Sequence, residues 1–457
     1  MYRKVSEKFE EWKRNPDKKA LLVTGARQIG KTYSIREFGK SYDEFVEINF
    51  ITQSSAAGIF SGALDADTII MNLTAFTGKA LIPHKTLIFL DEIQECPEAR
   101  TAIKFLVEDG RFDYIESGSL LGVNYKKIKS VPVGFETKLQ MVPMDFEEFC
   151  IANQMQDSVF QYLSTCYTKK AEVSESIHET MLRLFRYYTI VGGMPDAVKA
   201  FIETHDIGQV VEIQRNILSL YREDIIKYAV TYTSRITQIF DHIPSELDDK
   251  NRRFMMSALS KNARSREYED AFMWLKDAGV ALPCYNLDAL TLPLKLNEKA
   301  TIFKLFLNDC GLLCADSMEN VQFDILQGDL SVNMGSILEN VFAEALVSNG
   351  FELRYYNQKR IGELDFVVQQ GKNIVPIEIK SGNDYMHHLA LDHAMAVDEW
   401  KLSEGIVFCK GNVRTEQKIQ YYPWYMIMFF RQEEMPEHLI LDVDLSAIQN
   451  HDILPKA

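Results

Sequence analysis

Eight consecutive residues near the start of the chain have the types and the spacing that bind phosphate groups. They are Gly25, Ala26, Arg27, Gln28, Ile29, Gly30, Lys31 and Thr32, in the pattern GxxxxGK(S/T). Glycines let successive backbone N–H groups turn towards phosphate oxygens, and the start of a helix adds positive potential. Lys31 would contact the β- and γ-phosphates, and the Thr32 hydroxyl would bind Mg²⁺. The segment predicts ATP binding with Mg²⁺, the alternative being a glycine-rich turn closed by a surface lysine.

Two adjacent carboxylates, Asp91 and Glu92, follow the apolar run Thr86–Leu90. The run predicts a buried strand, and ligands of parallel sheets bind at the carboxyl ends of the strands. Asp91 would hold Mg²⁺ through water, and Glu92 would polarise the water that attacks the γ-phosphate. The alternative is an acidic strand end that only contacts solvent.

A parallel sheet must position these residues, because short apolar runs alternate with helical patterns over residues 20–120. The predicted strands are Ala20–Thr24, Phe45–Asn49, Thr86–Leu90 and Tyr114–Glu116. The last of them is followed by Ser117 and Ser119, either of which could contact the γ-phosphate. An ordinary turn explains these two serines equally well.

A second set of reactive side chains lies in the last third of the chain. Alternation along two strand-like segments joined by a turn places Asp365, Glu378 and Lys380 on one surface of a hairpin. Glu339 could approach them from a helix. Converging carboxylates suit Mg²⁺, and a neighbouring lysine can orient or deprotonate water for attack on a phosphodiester.

The same alternation assigns Leu364, Phe366 and Val368 to the opposite face of the first strand. Pro376 in the second strand predicts an edge or a bulge. Two alternatives remain open for this region. Its polar face could simply contact solvent, or a nuclease fold could bind nucleic acid without cutting it.

A run of basic residues in the middle of the chain could contact DNA. Residues 250–266 contain six basic side chains and no acidic one. A predicted helix, Glu267–Ala278, and two strand-like runs, Val280–Tyr285 and Ile302–Leu307, follow it. Helix, helix and two-stranded wing is a winged-helix pattern, and clustered Lys and Arg suit phosphate contacts. A solvated face or a protein-docking module is the alternative.

Several of these segments resemble the AAA-type ATPases of bacteria and archaea that carry a P-loop domain followed by a long C-terminal domain of unassigned function. The resemblance extends over Thr24–Thr32, Leu90–Gln94, Glu116–Ser119, Pro143–Phe149, Val191–Pro195 and Leu220–Ile225.

One residue departs from the family pattern. The family often has a Gly-Arg pair after the serine-rich strand end, but here Gly134 precedes Phe135. Arg100 and Arg111 are then candidates for an arginine finger, and the sequence does not choose between them. In the last third of the chain, the pattern of Asp365, Glu378 and Lys380 resembles the PD-(D/E)XK nuclease core.

Composition limits the remaining possibilities. The 457 residues carry a net charge of −15, so the whole molecule is not a polycation that coats nucleic acid. The longest apolar run, Tyr421–Phe430, is too short for a bilayer span, and we expect no membrane partner. No secretory signal is evident, and the seven cysteines form no CxxC pair, which favours a reducing, cytoplasmic location.

These observations predict an α/β protein of four parts. They are an AAA-type P-loop core (1–155), a helical lid (156–232), a winged-helix-like segment (233–330) and a restriction-endonuclease-like domain (331–457). The predicted function is Mg²⁺-dependent ATP hydrolysis coupled to DNA binding or processing. The competing hypothesis is an ATP-switched protein-interaction module whose nuclease-like fold is catalytically silent.

Overall fold

The computed structural model describes residues 1–62, 64–118, 132, 134–229, 232–248, 265–318, 322, 326 and 334–433. Ser119 and positions 250–264 of the basic run lie outside the described residues. Two predictions, a γ-phosphate contact by Ser119 and a phosphate-binding face on the basic run, therefore stay predictions.

A parallel five-stranded sheet forms the N-terminal part, with the strand order β2-β3-β4-β1-β5. The strands are β1 (Ala20–Thr24), β2 (Glu44–Asn49), β3 (Thr86–Asp91), β4 (Asp113–Ser117) and β5 (Glu136–Gln140). The four predicted strands are confirmed. The fifth was missed because its sequence, ETKLQ, is mostly polar and largely exposed, so it has no apolar run.

Four helices accompany this sheet, and the apolar residues of each strand alternate between its two faces. They are α1 (Val5–Arg14), α2 (Lys31–Gly39), α3 (Ala66–Thr77) and α4 (Pro97–Asp109). Ile88 and Leu90 pack with α3 and α4, while Phe89 packs with α1 and α2 in the large core. Both faces of β3 are therefore buried, as its uninterrupted apolar sequence predicts.

A helical region follows the sheet. Its helices are α5 (Phe146–Ala152), α6 (Asp157–Lys169), α7 (Glu175–Val191), α8 (Pro195–Thr204) and α9 (Ile207–Tyr228). The predicted helix break at Gly192 and Gly193 is confirmed. Gly192 has a φ of 68°, and a Cβ on Gly193 would lie 1.9 Å from the Met144 carbonyl oxygen. The Gly193 N–H donates to Asp309 Oδ2 at 2.6 Å, so the break also contacts a later segment.

The middle and later segments share one mixed sheet, with the order β7-β6-β8-β9. Its strands and neighbouring helices are α10 (Thr233–Asp248), α11 (Ser265–Asp277), β6 (Ala281–Leu287), β7 (Glu298–Leu307), α12 (Cys310–Ser317), α13 (Gly335–Ser348), β8 (Arg354–Gln358) and β9 (Gly362–Leu364). The two strands predicted as a wing do pair antiparallel. However, β6 also pairs with β8, so the hairpin is part of a larger sheet that crosses residue 330.

The last sheet has the order β10-β11-β12-β14-β13. Its elements are β10 (Phe366–Gln370), β11 (Asn373–Ile379), α14 (Leu389–Met395), β12 (Gly405–Cys409), β13 (Arg414–Glu416) and β14 (Ile419–Pro423). Short 3₁₀ segments occur at Ser54–Phe60, Ile93–Glu95, Leu294–Asn297, Asp398–Trp400 and Trp424–Phe429. Pro376 lies where β11 pairs with β10 alone, because pairing with β12 begins at Ile377.

One sequence prediction about this region is wrong. Leu364, Phe366 and Val368 do not share a face. Leu364 belongs to the same buried cluster as Val367, whereas Phe366 and Val368 belong to a different one, the large core that also contains Phe89. The reason is that the chain changes sheets at Asp365, where β9 ends and β10 begins. Elsewhere in the fold, the seven cysteines are buried and free. Among the described residues, no helix is both long and apolar enough to cross a membrane.

Candidate functional site

The loop between β1 and α2 adopts a conformation that requires its glycines. Gly25 has a φ of 141° and Gly30 a φ of 87°, values that L-residues rarely adopt. A Cβ on Gly25 would also lie 2.4 Å from the Met141 carbonyl oxygen. Gly30 immediately precedes α2, so the loop opens onto a helix N-terminus, where anions bind favourably.

The Lys31 side chain lies over this loop. Its Nζ donates hydrogen bonds to the carbonyl oxygens of Gly25, at 2.9 Å, and Ala26, at 2.7 Å. Burial lowers the pKa of Lys31 to about 8, although the nearby carboxylates of Glu92 and Asp91 act in the opposite direction. The ammonium group is thus held at the loop, within electrostatic range of both acidic residues.

Asp91 is the centre of a hydrogen-bonded group at the carboxyl edge of the sheet. Its Oδ2 accepts from Thr32 Oγ1 at 3.2 Å and from Asn49 Nδ2 at 2.9 Å. Its Oδ1 accepts from Ser117 Oγ and from the Glu92 N–H. Asn49 was not predicted as a site residue. It ends β2 directly opposite Asp91, so its place at the end of a predicted strand could have identified it.

The predicted Mg²⁺ ligands are therefore adjacent, and their chemistry fits the ion. Thr32 supplies a hydroxyl oxygen and Asp91 a carboxylate, which are ligand types that Mg²⁺ prefers. Asp91 is buried. Ser117, predicted to contact the γ-phosphate, instead donates to Asp91 in this structure. Its position still lies at the same edge of the sheet.

Glu92 begins the connection from β3 to α4. Its φ of 55° is in the left-handed region, which turns the chain sharply after the strand. The Gln94 side-chain amide donates to Glu92 Oε2. The carboxylate thus has a fixed neighbour, and it acts electrostatically on both Lys31 and Asp224.

Arg3 fixes the loop from the N-terminal side, a role that the sequence did not indicate. Its guanidinium donates to the carbonyl oxygens of Ile29 and Val142, both at 2.7 Å, and to Glu148 Oε1 at 3.1 Å. Arg3 is buried. The Glu148 carboxylate also accepts from the Lys4 N–H, at 2.6 Å. Residues that precede the glycine-rich loop in the chain and residues that follow it are therefore hydrogen-bonded to each other beside it.

The two arginines considered as arginine fingers are engaged elsewhere. Arg100 on α4 forms an ion pair with Glu136 at 2.8 Å. Arg111 pairs with Asp109 at 2.8 Å and with Asp67 at 2.5 Å. None of these partners is a residue of the glycine-rich loop. Arg27 is itself a residue of the glycine-rich loop, and its Nε is 2.9 Å from Asp224 Oδ2 on α9.

The second predicted site is partly assembled. Asp365 immediately precedes β10, and the antiparallel register that pairs Phe366 with Ile377 sets it across from Glu378. The Ile379 N–H donates to Asp365 Oδ2 at 2.8 Å, and Lys380 Nζ donates to Glu378 Oε1 at 2.7 Å. Burial and the Asp365 carboxylate raise the pKa of Glu378 to about 7.

Glu339 does not complete a three-carboxylate metal site with Asp365 and Glu378. Its Oε2 lies 3.1 Å from Lys304 Nζ, and the same ammonium group lies 2.6 Å from Glu363 Oε1. Lys304 is fully buried. Within the described ranges, no three or more His, Cys, Asp or Glu side chains are arranged to hold a metal ion. The Lys304 ammonium group therefore pairs with both Glu339 and Glu363.

Three parts of the chain match known families. Residues 17–150 match the family described as an AAA domain. Residues 182–321 and 334–427 match two families described as domains of unknown function, DUF8612 and DUF4143. No curated protein matches the chain. The resemblance to an AAA-type P-loop ATPase is thus confirmed for the N-terminal domain, whereas the resemblance to nucleases stays a prediction.

Solved structures that are similar to this chain include three archaeal proteins. The Walker-type ATPase PABY2304 of Pyrococcus abyssi is 13% identical, covers 68% of this chain and 94% of its own, and has a TM-score of 0.38. The ORC1 protein of Aeropyrum pernix, solved in complex with DNA, is 12% identical over 70% of this chain and 92% of its own, with a TM-score of 0.26. The ORC2 protein of the same organism, in its ADP form, is 14% identical over 72% and 93%, with a TM-score of 0.29. Because these TM-scores are below 0.5, no activity follows from them.

Proposed function

We propose that the N-terminal domain binds ATP with Mg²⁺ and hydrolyses it. The observation that carries this proposal is the contact between Thr32 of the glycine-rich loop and Asp91 at the end of β3. A loop that cradles phosphates and a carboxylate that suits a cation converge there, beside the Lys31 ammonium. In ATPases of this class, bound Mg²⁺ neutralises charge that develops on the phosphates.

We assign phosphate binding and proton transfer to residues of this site. Lys31 binds the β- and γ-phosphates, and the loop N–H groups orient them. Glu92 accepts a proton from water as the water oxygen bonds to the γ-phosphorus. The bond between that phosphorus and the β–γ bridging oxygen breaks, so the products are ADP and inorganic phosphate. The proton on Glu92 then passes to solvent or to the released phosphate, which restores the carboxylate.

The variant Glu92→Gln tests this assignment directly. It keeps the size of the side chain and removes the base, so ATP affinity should stay within about threefold while kcat falls about 100-fold or more. Glu95→Gln is the matched control, because Glu95 is an exposed carboxylate in the same connection. Equal kcat values for Glu92→Gln and the parent would overturn the role of Glu92.

We also propose that ATP hydrolysis is coupled to DNA binding or processing by the later segments. The proposal is supported by Asp365, Glu378 and Lys380, which lie together at the edge of the last sheet. It is further supported by the basic run 250–266. Carboxylates and a lysine in this arrangement could bind a divalent cation and activate water for attack on a phosphodiester.

The second candidate function is an ATP-switched interaction module with a silent nuclease-like fold. The pairing of Lys304 with Glu339 favours it, because an internal ammonium group occupies the position where a cation would meet that carboxylate. A protein that uses this surface only for docking has no need of a metal there. The buried pair would then serve to hold β7 against α13.

A nicking assay on supercoiled DNA with Mn²⁺ or Mg²⁺, with and without ATP, separates the two candidates. Processing predicts nicking that Asp365→Ala and Glu378→Ala abolish and that Glu399→Ala retains. Glu399 is the matched control, an exposed carboxylate of the same segment. Absence of nicking by the parent protein under every nucleotide condition would favour the silent module.

A further inference from the structure

One face of α9 contacts Arg27 of the glycine-rich loop. Asp224 lies 2.9 Å from the Arg27 Nε, and the Arg27 guanidinium is 6.0 Å from the centre of the Tyr228 ring. Tyr221 Oη donates to the Arg27 carbonyl oxygen at 3.2 Å. The spacing of Tyr221, Asp224 and Tyr228 places all three on one side of the helix. Three residues from one side of α9 thus lie against a single loop residue.

This arginine belongs to the same glycine-rich loop as Lys31 and precedes it by four residues. Charges on both Arg27 and Asp224 act on the pKa of Lys31, the residue expected to contact the β- and γ-phosphates. Asp224 also lies within electrostatic range of Glu92. The Asp224 side chain is 4% exposed and that of Arg27 is 29% exposed. The guanidinium therefore remains reachable from the site, while its carboxylate partner is buried.

We propose that Arg27 senses the γ-phosphate and that Asp224 holds Arg27 when no triphosphate is bound. This inference rests on the proposed ATPase function and adds a specific residue to it. A γ-phosphate offers the guanidinium more negative charge than a single carboxylate does, and it can accept two parallel hydrogen bonds. Binding of ATP would then exchange one partner of Arg27 for another. ADP lacks the γ-phosphate and leaves the pair with Asp224 intact.

The residues around the Arg27–Asp224 pair also contact other parts of the molecule. Without Arg27, Asp224 would be a buried carboxylate within electrostatic range of Glu92, an arrangement that costs free energy. The α9 helix also contacts the segment after β7, because Asn308 Nδ2 donates to Tyr221 Oη at 3.4 Å. Gly279, between α11 and β6, touches the loop as well, since a Cβ there would lie 3.1 Å from the Ala26 nitrogen. These two contacts connect α9 and the glycine-rich loop to the segments that flank β6 and β7.

Equilibrium binding of ATPγS and of ADP, each with Mg²⁺, tests the inference. For Arg27→Ala we expect affinity for ATPγS to fall about tenfold to 100-fold, with affinity for ADP within about twofold of the parent. For Asp224→Asn we expect affinity for ATPγS to rise, because the competing carboxylate charge is gone. Arg222→Ala is the matched control: Arg222 is on the same helix but pairs with Asp241 and Asp316.

Two outcomes would overturn the inference. One is an equal loss of ATPγS and ADP affinity in Arg27→Ala, which would mean that the arginine only maintains the loop. The other is a conservative variant, Arg27→Lys, that binds ATPγS as the parent does, since lysine cannot form the paired hydrogen bonds. Failure of the proposed ATPase function would look different from failure of this inference. In that case neither the parent nor Arg222→Ala would bind ATPγS.

Discussion

Thr32 Oγ1 donates a hydrogen bond to Asp91 Oδ2 across 3.2 Å, although 59 positions separate the two residues in the chain. The contact joins the first turn of α2 to the end of β3. Its two oxygens are the hydroxyl and the carboxylate that the sequence assigns to Mg²⁺. The remaining acceptor capacity of Asp91 is used by Asn49, Ser117 and the Glu92 N–H. Four hydrogen bonds thus hold the Asp91 carboxylate in place at the edge of the sheet.

The pKa of Lys31 predicts how ATP affinity depends on pH. Burial lowers that pKa to about 8, so the ammonium group loses its proton above pH 8. ATP requires the charged form, and binding at higher pH must therefore take up a proton. We expect affinity for ATP to fall about 20-fold between pH 7.5 and 9.5. Titration calorimetry at several pH values measures this.

Lys31→Arg provides the control for that titration, because a guanidinium stays charged across the whole range. This variant can bind ATP more weakly than the parent at every pH, but its affinity for ATP should stay constant between pH 7.5 and 9.5. A parent protein whose affinity is equally flat would show that Lys31 does not titrate in this window.

Glu116 predicts a pH dependence of stability. It is fully buried on β4, and among the described residues neither of its carboxylate oxygens has a hydrogen-bond partner. Burial raises its pKa from 4.5 to about 8. The folded state therefore holds a proton that the unfolded chain releases above pH 4.5, and the stabilisation present below that pH is lost as the pH rises to 8.

Glu116→Gln should remove this loss, because the amide has the shape of the protonated acid and no charge. At pH 8.5 we expect a higher free energy of unfolding for the variant, on the order of 1.4 kcal/mol for each unit of the pKa difference. At pH 4.5 the two proteins should be alike. Urea unfolding of the parent, Glu116→Gln and the exposed control Glu98→Gln measures it. A variant no more stable than the parent at pH 8.5 would contradict the prediction.

Gly193 is predicted to be intolerant of any side chain. A Cβ there would lie 1.9 Å from the Met144 carbonyl oxygen, and that contact is between two backbone segments. The Met144 N–H also donates to the Gly193 carbonyl oxygen at 2.8 Å, so neither segment can move freely. We expect Gly193→Ala to lower the free energy of unfolding by about 3 kcal/mol or more.

Gly58→Ala is the control for this substitution, since a Cβ at Gly58 would meet no atom within 4 Å. Thermal unfolding of both variants measures the difference. Equal midpoints would show that the helix break does not pack against Met144 in solution.

Local sequence patterns were enough to predict the first site because its residues follow one another closely. The loop from Gly25 to Thr32 is continuous, and Asp91 ends an apolar strand whose place at the sheet edge follows from the parallel topology. Asp224 and Arg3 were missed because their roles depend on contacts far along the chain. No local periodicity distinguishes Asp224 from any other polar residue of a long helix.

At the second site, the alternation of residues along the strands predicted only part of the arrangement. It placed Asp365 near Glu378 because a single turn joins the two segments. It could not show that the chain changes sheets at Asp365, since the alternation of apolar residues continues in the sequence across that point. Nor could it show that Lys304, from another strand, pairs with Glu339. Strand β5 was missed for a related reason, because its polar residues give no apolar signal.

Steady-state ATP hydrolysis by the parent protein and by Lys31→Ala is the most direct test of the central claim. The matched control is Lys40→Ala, because Lys40 is an exposed lysine at the end of the same helix that pairs only with Glu37 among the described residues. The account predicts Mg²⁺-dependent release of phosphate by the parent and by Lys40→Ala, with a loss of about 100-fold or more in Lys31→Ala. Phosphate release by Lys31→Ala at the parent rate would contradict it.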